Sequence, residues 1–372
     1  MCNCFDKAKK NFGFGCMRLP MIGEEVDHSA FCDMVDAFMD AGFNYFDTAR
    51  GYIGGKSELA LKECLTSRYP RESYVLTDKL SGWLFEKNED IVPFLEKQLE
   101  ACGVDYFDFY LMHAQDRKSF EKYKNCRAYE TAFELKEQGK VKHVGISFHD
   151  TAEVLDQILT EYPQIEVVQI QFNYLDYEDP SVQSRKCYEV CRAHNKPIMI
   201  MEPVKGGRLV NLPPDAKKVL SGLGGGSDAS YAIRFAASFP GVEMVLSGMG
   251  NMDMVNDNIS YMKDFKPLDS KEMAAVEKVA EIIRELRAIP CTECRYCVDE
   301  GCPAGINIPG LFADLNVKKV WNDPNAVSRY NHHTEKGGKP SDCIDCGSCE
   351  SVCPQHLPIR DLLKTVEAEF EK

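Results

Sequence analysis

Between residues 12 and 249 the sequence alternates eight short apolar runs with segments of helical period, and that rhythm admits few architectures. The runs are "FGFGCM" (12–17), "NYFDTA" (44–49), "YVLTDKL" (74–80), "YFDFYLMH" (106–113), "HVGISFH" (143–149), "VVQIQFNY" (167–174), "PIMIMEP" (197–203) and "VEMVLSGM" (242–249). They are apolar without clean alternation, as parallel strands covered on both faces are. Between them, segments such as "FCDMVDAFMDAGF" and "DIVPFLEKQLEACGV" space apolar residues as helices do, and several end in Gly, Asn or Lys. Eight strand–helix units over roughly 250 residues are the arithmetic of an α/β (β/α)8 TIM barrel. A doubly wound sheet would need a glycine fingerprint opening a helix after its first strand, and "FGFGCMRLP" has neither the third glycine nor the helix. The glycine-rich "SGLGGGSD" (221–228) follows no strand and reads as a mobile loop before the seventh helix.

Residues 1–269 are therefore expected to form the barrel. Residues 270–289, "SKEMAAVEKVAEIIRELRAI", form a charged amphipathic helical connector. Residues 290–372 form a small, mainly helical second domain with a loop at "HHTEKGGKPSD" (332–342) and a terminal helix at "PIRDLLKTVEAEFEK". A net charge of −14 disfavours nucleic acid, which requires a dense Lys/Arg surface. No apolar run reaches the ~20 residues of a membrane span, and "MCNCFDKAKK" lacks the apolar core of a secretory signal, so no membrane partner and a cytoplasmic location are expected.

Of seventeen cysteines, eight fall in two runs after residue 290. "CTECRYCVDEGCP" carries Cys291, Cys294, Cys297 and Cys302; "CIDCGSCESVCP" carries Cys343, Cys346, Cys349 and Cys353. The second is the C-x2-C-x2-C-x3-C-P run of bacterial ferredoxins, and the first has one extra residue before its last cysteine. Three thiolates at i, i+3 and i+6 wrap three corners of a cubane, and the fourth comes from the other run. Cys291, Cys294, Cys297 and Cys353 would then hold one 4Fe-4S cluster, and Cys343, Cys346, Cys349 and Cys302 a second. Zinc would use two C-x2-C pairs and leave the remaining cysteines and both prolines without a reason. The other nine cysteines, Cys2, Cys4, Cys16, Cys32, Cys64, Cys102, Cys126, Cys187 and Cys191, read as buried hydrophobes or surface thiols.

Four polar groups fall near the carboxyl ends of consecutive strands: Asp47 and Tyr52, then Lys79, then His113. Barrel enzymes place their chemistry at that end. "FNYFDTARGYIGGKSE", "YVLTDKL", "DYFDFYLMHAQD", "VKHVGISFHD", "VVQIQFNY" and "IMIMEPVKGGRL" resemble the aldo-keto reductase family in matching order, and the whole chain is similar to its bacterial subgroup with a C-terminal ferredoxin-like domain. The resemblance implies a catalytic tetrad of Asp47, Tyr52, Lys79 and His113. Tyr52 would give a proton to a carbonyl oxygen as hydride arrives, with its pKa lowered by Lys79. Asp47 would hold Lys79, and His113 would bind the substrate oxygen.

The resemblance also implies NADPH or NADH across the barrel mouth, near Met17 and Asp47. Ser147 and Gln169 would hold the carboxamide and Met201 would lie against the nicotinamide. Glu202, Val204 and Gly206 would approach the pyrophosphate, and Gly248, Asp257 and Asn258 the adenosine. Where the family places cations for a 2′-phosphate, this chain has Gly248 and Met254; Arg18 is one local cation that would compensate. Trp83, Phe85, Phe120 and Tyr123, in loops 81–90 and 114–126, suggest an apolar wall for a small carbonyl substrate. The expected function is an oxidoreductase interconverting an aldehyde or ketone and an alcohol. The alternative is an electron-transfer protein whose clusters serve a redox protein partner, with a flavin converting hydride to single electrons.

Overall fold

The computed structural model describes residues 4–299 and 302–371, so Cys2 lies outside the described residues. Contacts divide the chain into two units. One runs to Glu178 and adds Val182–Val210 and Gly225–Met273; the other comprises Asp179–Ser181, Asn211–Gly224 and the chain from Ala274 onward.

In the first unit ten strands form: β1 (Phe12–Gly15), β2 (Met21–Ile22), β3 (Glu25–Val26), β4 (Tyr45–Asp47), β5 (Val75–Ser81), β6 (Phe107–Gln115), β7 (Val141–Phe148), β8 (Val167–Gln171), β9 (Ile198–Met201) and β10 (Val242–Gly248). Eight of them close into a barrel in the order β1-β10-β9-β8-β7-β6-β5-β4, every ladder parallel. These are the eight runs read from the sequence. The antiparallel pair β2–β3 was not expected, because two-residue strands carry no periodicity; its one signal is Gly23, at φ 61, in the two-residue turn between them.

The barrel interior is filled from its amino end. Tyr45, Val75, Phe109, Leu111, Val167, Met199, Met244 and Leu246 pack together there, and Phe5 stacks on Phe109 with ring centroids 4.9 Å apart. Gly145 is forced by this crowding, since a Cβ would stand 2.6 Å from the Val167 carbonyl oxygen. Outside, the helix His28–Asp40 shows how sequence sets the layer. Asp27 accepts the Ala30 N–H at 3.0 Å to start it, and Phe31, Met34, Val35 and Phe38 form one buried stripe at i, i+3, i+4 and i+7.

Two expectations about scattered residues change. Cys32, on this helix, is disulfide-bonded to Cys64 in the π-turn Lys62–Thr66, whereas Cys4 is buried and Cys16, Cys102, Cys126, Cys187 and Cys191 are buried free thiols. Packing of two neighbouring segments brings the pair together, and a separation of 32 residues leaves no local trace of that. Phe85, Phe120 and Tyr123 are buried beneath their loops as core; only Trp83 of the four is exposed.

The second unit is helical. The helices Ile308–Trp321, Ala326–Lys336 and Ile359–Phe370 pack Leu311, Phe312, Leu315, Tyr330, Leu363 and Val366 around one core. The loop expected at residues 332–342 begins later, because the second of these helices continues through Lys336 and stops at the glycine pair Gly337–Gly338. The Asn316 side chain bonds both the N–H and the carbonyl of Ile289 (2.8 and 2.7 Å), fixing the approach to the first cysteine run. Among the described residues no helix is long and apolar enough to cross a membrane.

Candidate active site and cysteine hollows

Alternation along β5 turns Thr77, Lys79 and Ser81 into the barrel, so one short strand delivers a cation and a hydroxyl to its mouth. Lys79, with no exposed surface, donates to Asp47 Oδ1 at 2.6 Å, to the Thr48 carbonyl at 2.7 Å and to Tyr52 Oη at 3.3 Å. An ammonium has three protons and here has three acceptors. Tyr52 opens the turn Tyr52–Gly55, in which Ile53, Gly54 and Gly55 all have positive φ (51°, 62° and 89°). A β-branched residue in that region is strained, and the strain persists because neighbours hold the turn. Ser57 binds Thr48 Oγ1 and the Cys16 carbonyl, each at 2.8 Å.

The His113 ring stands 6.1 Å from that of Tyr52 and 5.1 Å from that of Trp83. Its Nδ1 lies 2.7 Å from Ser81 Oγ. Sequence reading missed Ser81, although it sits two residues beyond Lys79 and so on the same face. Burial, then the Lys79 and His149 charges, pushes the His113 pKa down to about 2, leaving a neutral imidazole. Tyr52 corrects the sequence expectation: Lys79 does lower its pKa, but burial is the larger effect and the net direction is upward. The same burial opposes charge on Lys79, yet Asp47 and Tyr52 outweigh it and keep the ammonium. Burial also raises Asp47 against the pull of Lys79.

The residues assigned to a nicotinamide cofactor line the carboxyl ends of the neighbouring strands. Ser147 and Gln169 are register partners on β7 and β8. The Ser147 hydroxyl oxygen accepts the Ala114 N–H at 2.8 Å, and Gln169 Nε2 donates to Asp47 Oδ2 at 3.2 Å, which joins this row to the tetrad. Met201 ends β9, and the loop after it is set by positive φ at Glu202, Lys205, Gly206 and Gly207, with Val204 among them. Lys205 is committed to the buried Asp176 at 2.5 Å. Gly248 ends β10. A Cβ on Gly206 would stand 3.6 Å from Arg18 Nη2, and one on Gly248 3.8 Å from Arg18 Nη1, so the exposed Arg18 spans the two glycines beside an exposed Met17. This cradle fits an anionic cofactor. Asn258 is turned inward, donating to Ser247 Oγ at 3.0 Å, and Asp257 accepts from Ser227 at 2.6 Å.

The cysteine runs form two hollows in the second unit. Cys291, Cys294, Cys297 and Cys353 line one, together with Ile308, Phe312 and Leu357. Cys302, Cys343, Cys346 and Cys349 line another, together with Ile306, Ile308 and Leu363. Each hollow takes three cysteines from one run and the last cysteine of the other. Among the described residues no three His, Cys, Asp or Glu converge as they would on a single ion. An apolar chamber ringed by four thiols fits a cluster better than zinc.

Residues 11–281 match the model of the aldo/keto reductase family, and residues 290–357 that of the 4Fe-4S dicluster domain. An aldo-keto reductase of Mycolicibacterium paratuberculosis is 25% identical over 283 residues, covering 76% of this chain and 90% of that protein. The NADH-specific methylglyoxal reductase of Escherichia coli is 25% identical over 195 residues, and the match spans 57% of its length. Among solved structures, the thermostable aldo-keto reductase Tm1743 superposes with a TM-score of 0.60 at 19% identity, over 72% of this chain and 94% of that one. An aldo-keto reductase from Klebsiella pneumoniae in complex with NADPH gives 0.57 at 19% identity, over 73% and 90%. Matched through its whole barrel, the chain belongs to the aldo/keto reductase family of oxidoreductases and carries a 4Fe-4S dicluster domain later in its sequence.

Proposed function

We propose that the barrel interconverts an aldehyde or ketone and an alcohol with NADPH or NADH, and that Tyr52 is the proton donor. The nicotinamide, when bound, supplies the hydride. The supporting observation is the saturation of Lys79: its third N–H goes to Tyr52 Oη, so the phenol oxygen accepts from Lys79 and its own proton is left for the substrate oxygen. A half-buried phenol with raised pKa holds that proton at neutral pH, and the ammonium stabilises the phenolate left behind. With Ser81 donating to Nδ1, His113 presents Nε2–H to the carbonyl oxygen as charge grows there. Ser147 and Gln169 would orient the carboxamide, and Arg18 would face the cofactor phosphates. Tyr52→Phe tests this: carbonyl reduction should disappear while nicotinamide binding, read by fluorescence quenching, persists. Full turnover in that variant would remove the assignment.

A second reading has its own support. Cys291, Cys294, Cys297 and Cys353 would hold one 4Fe-4S cluster, and Cys302, Cys343, Cys346 and Cys349 another, supplying one-electron chemistry when loaded. Ile308 belongs to the walls of both hollows, and Tyr296 and Ile344, within the two runs, are exposed apolar groups that a redox protein could contact. In this reading the clusters exchange electrons with that partner, through a flavin where hydride is the source.

A further inference from the structure

On the outer face of β5 lie two carboxyl groups that the proposed reaction does not use. The alternation that turns Lys79 into the barrel turns Asp78 outward, beneath the helix Lys56–Leu61, where it meets Glu58. Both residues have no exposed surface, and the charge of Glu58 acts on Asp78. Two buried carboxylates that repel one another are relieved by a proton on one of them.

The charges around the pair require the same. Arg50 Nη1 meets Glu58 Oε2 at 2.5 Å, which balances one negative charge. The other adjacent cation, Lys79, has given its three protons to Asp47, Thr48 and Tyr52. The remaining titratable neighbours add no positive charge: the Cys102 thiol, with Sγ 3.9 Å from Asp78 Oδ2, and the phenols of Tyr110 and Tyr52. Burial and then the facing Glu58 push the Asp78 carboxyl up, and burial pushes Glu58 up against the pull of Arg50.

The pair also stands between the two halves of the tetrad. Asp78 Oδ1 accepts the backbone N–H of Lys79 at 2.7 Å. Gln98 Nε2 reaches both the Lys79 carbonyl (3.1 Å) and Glu58 Oε1 (3.4 Å), while its Oε1 accepts from Tyr110 at 2.7 Å. On the far side, Arg50 packs against Gly55, 3.5 Å from where a Cβ would be, at the end of the turn that carries Tyr52.

We propose that Glu58 and Asp78 hold a single proton between them, and that this pair positions the turn bearing Tyr52 against the strand bearing Lys79. The positioning half rests on the reading of Tyr52 and Lys79 given above; the shared proton does not.

The test uses the full-length, cluster-loaded protein and two variants. Asn in place of Asp78 copies a protonated carboxyl, with one oxygen for the Lys79 N–H and an amide to donate to Glu58. Asp78→Ala should lower kcat tenfold to about a hundredfold with KM for NADPH little changed, as a small misplacement of reacting groups does, and Asp78→Asn should recover all but about threefold. Stability against urea supplies a readout without substrate. In the unfolded chain both acids ionise above about pH 4, so a proton retained in the fold stabilises fully below that pH and progressively less as pH rises toward the folded value. Wild type should therefore lose stability relative to Asp78→Asn progressively as pH rises above about 4. A difference that is flat with pH overturns the shared proton. A pH-dependent difference with Asn as inactive as Ala overturns the positioning role alone. Wild type that reduces no carbonyl removes the positioning role with the reading beneath it, and the stability curve still decides the proton.

Discussion

The barrel mouth and the cysteine hollows both gather strongly interacting groups, but they are completed differently. At the mouth the charged pair Lys79 and Asp47 finds its partners within the chain: Lys79 is saturated by Asp47, Thr48 and Tyr52, and Asp47 also accepts from Gln169. In the second unit the eight thiols stand around two apolar hollows, and Cys297 and Cys349 belong to the same core as Ile308, Leu311 and Phe312. A site wired by its own hydrogen bonds is organised before any ligand arrives. A domain whose thiols ring two apolar hollows would be completed by the group they hold, as metal-coupled folding is.

The comparison breaks first at Lys79. Lys79→Met leaves Asp47 buried without its cation and removes the donor to Tyr52, so kcat for carbonyl reduction should fall by at least about a thousandfold, at the upper end of what a proton-transfer assembly contributes. A loss of only severalfold would mean the mouth is not organised around that ammonium. Next, Cys349→Ser in the full chain should strip the hollow lined by Cys302, Cys343 and Cys346. Amide exchange measured by mass spectrometry should then quicken across Ile308–Trp321 and Ile359–Phe370 while β4–β6 stay protected; equal loosening of both regions would erase the distinction drawn here.

Two smaller effects sharpen the account of the mouth. Arg18→Ala should raise KM for NADPH about tenfold, the size of one lost charge-assisted phosphate contact. An equal rise for NADH would assign Arg18 to the pyrophosphate rather than the 2′-phosphate. His113, held near pKa 2 in the fold against about 6.5 in an unfolded chain, binds its proton only on unfolding. Its contribution to stability is present above about pH 6.5 and is lost progressively as pH falls toward the folded value, so His113→Gln should flatten the acid side of the stability curve. An unchanged slope in that variant would show that His113 is not the neutral imidazole responsible.

Much of this was legible in the sequence because the elements that carry it are local. Parallel barrel strands announce themselves as apolar runs, and the cysteine spacing specifies which thiol crosses to which hollow. Asp47, Tyr52, Lys79 and His113 were readable as polar groups near strand ends, and the family resemblance supplied the roles expected of them. What escaped depends on tertiary packing. Phe85, Phe120 and Tyr123 sit in loop sequence but are core, and no property of a lone aromatic distinguishes a pocket wall from a residue packed under a loop. The Cys32–Cys64 bond joins two segments that pack together only in the folded chain. Asp78 was visible as an acid inside an apolar strand, yet its partner lies 20 residues earlier on a helix whose own pattern gives no sign of it.

The most direct test of a self-sufficient barrel mouth is an anaerobic mixing experiment on the cluster-loaded protein, adding NADPH or NADH with and without a simple aldehyde while following nicotinamide absorbance and the broad visible band of the clusters. The account predicts that nicotinamide is consumed only when aldehyde is present, in equal amount to the alcohol formed, with the visible band unchanged. Bleaching of that band by nicotinamide alone, without turnover of aldehyde, would contradict it and assign the barrel to electron transfer.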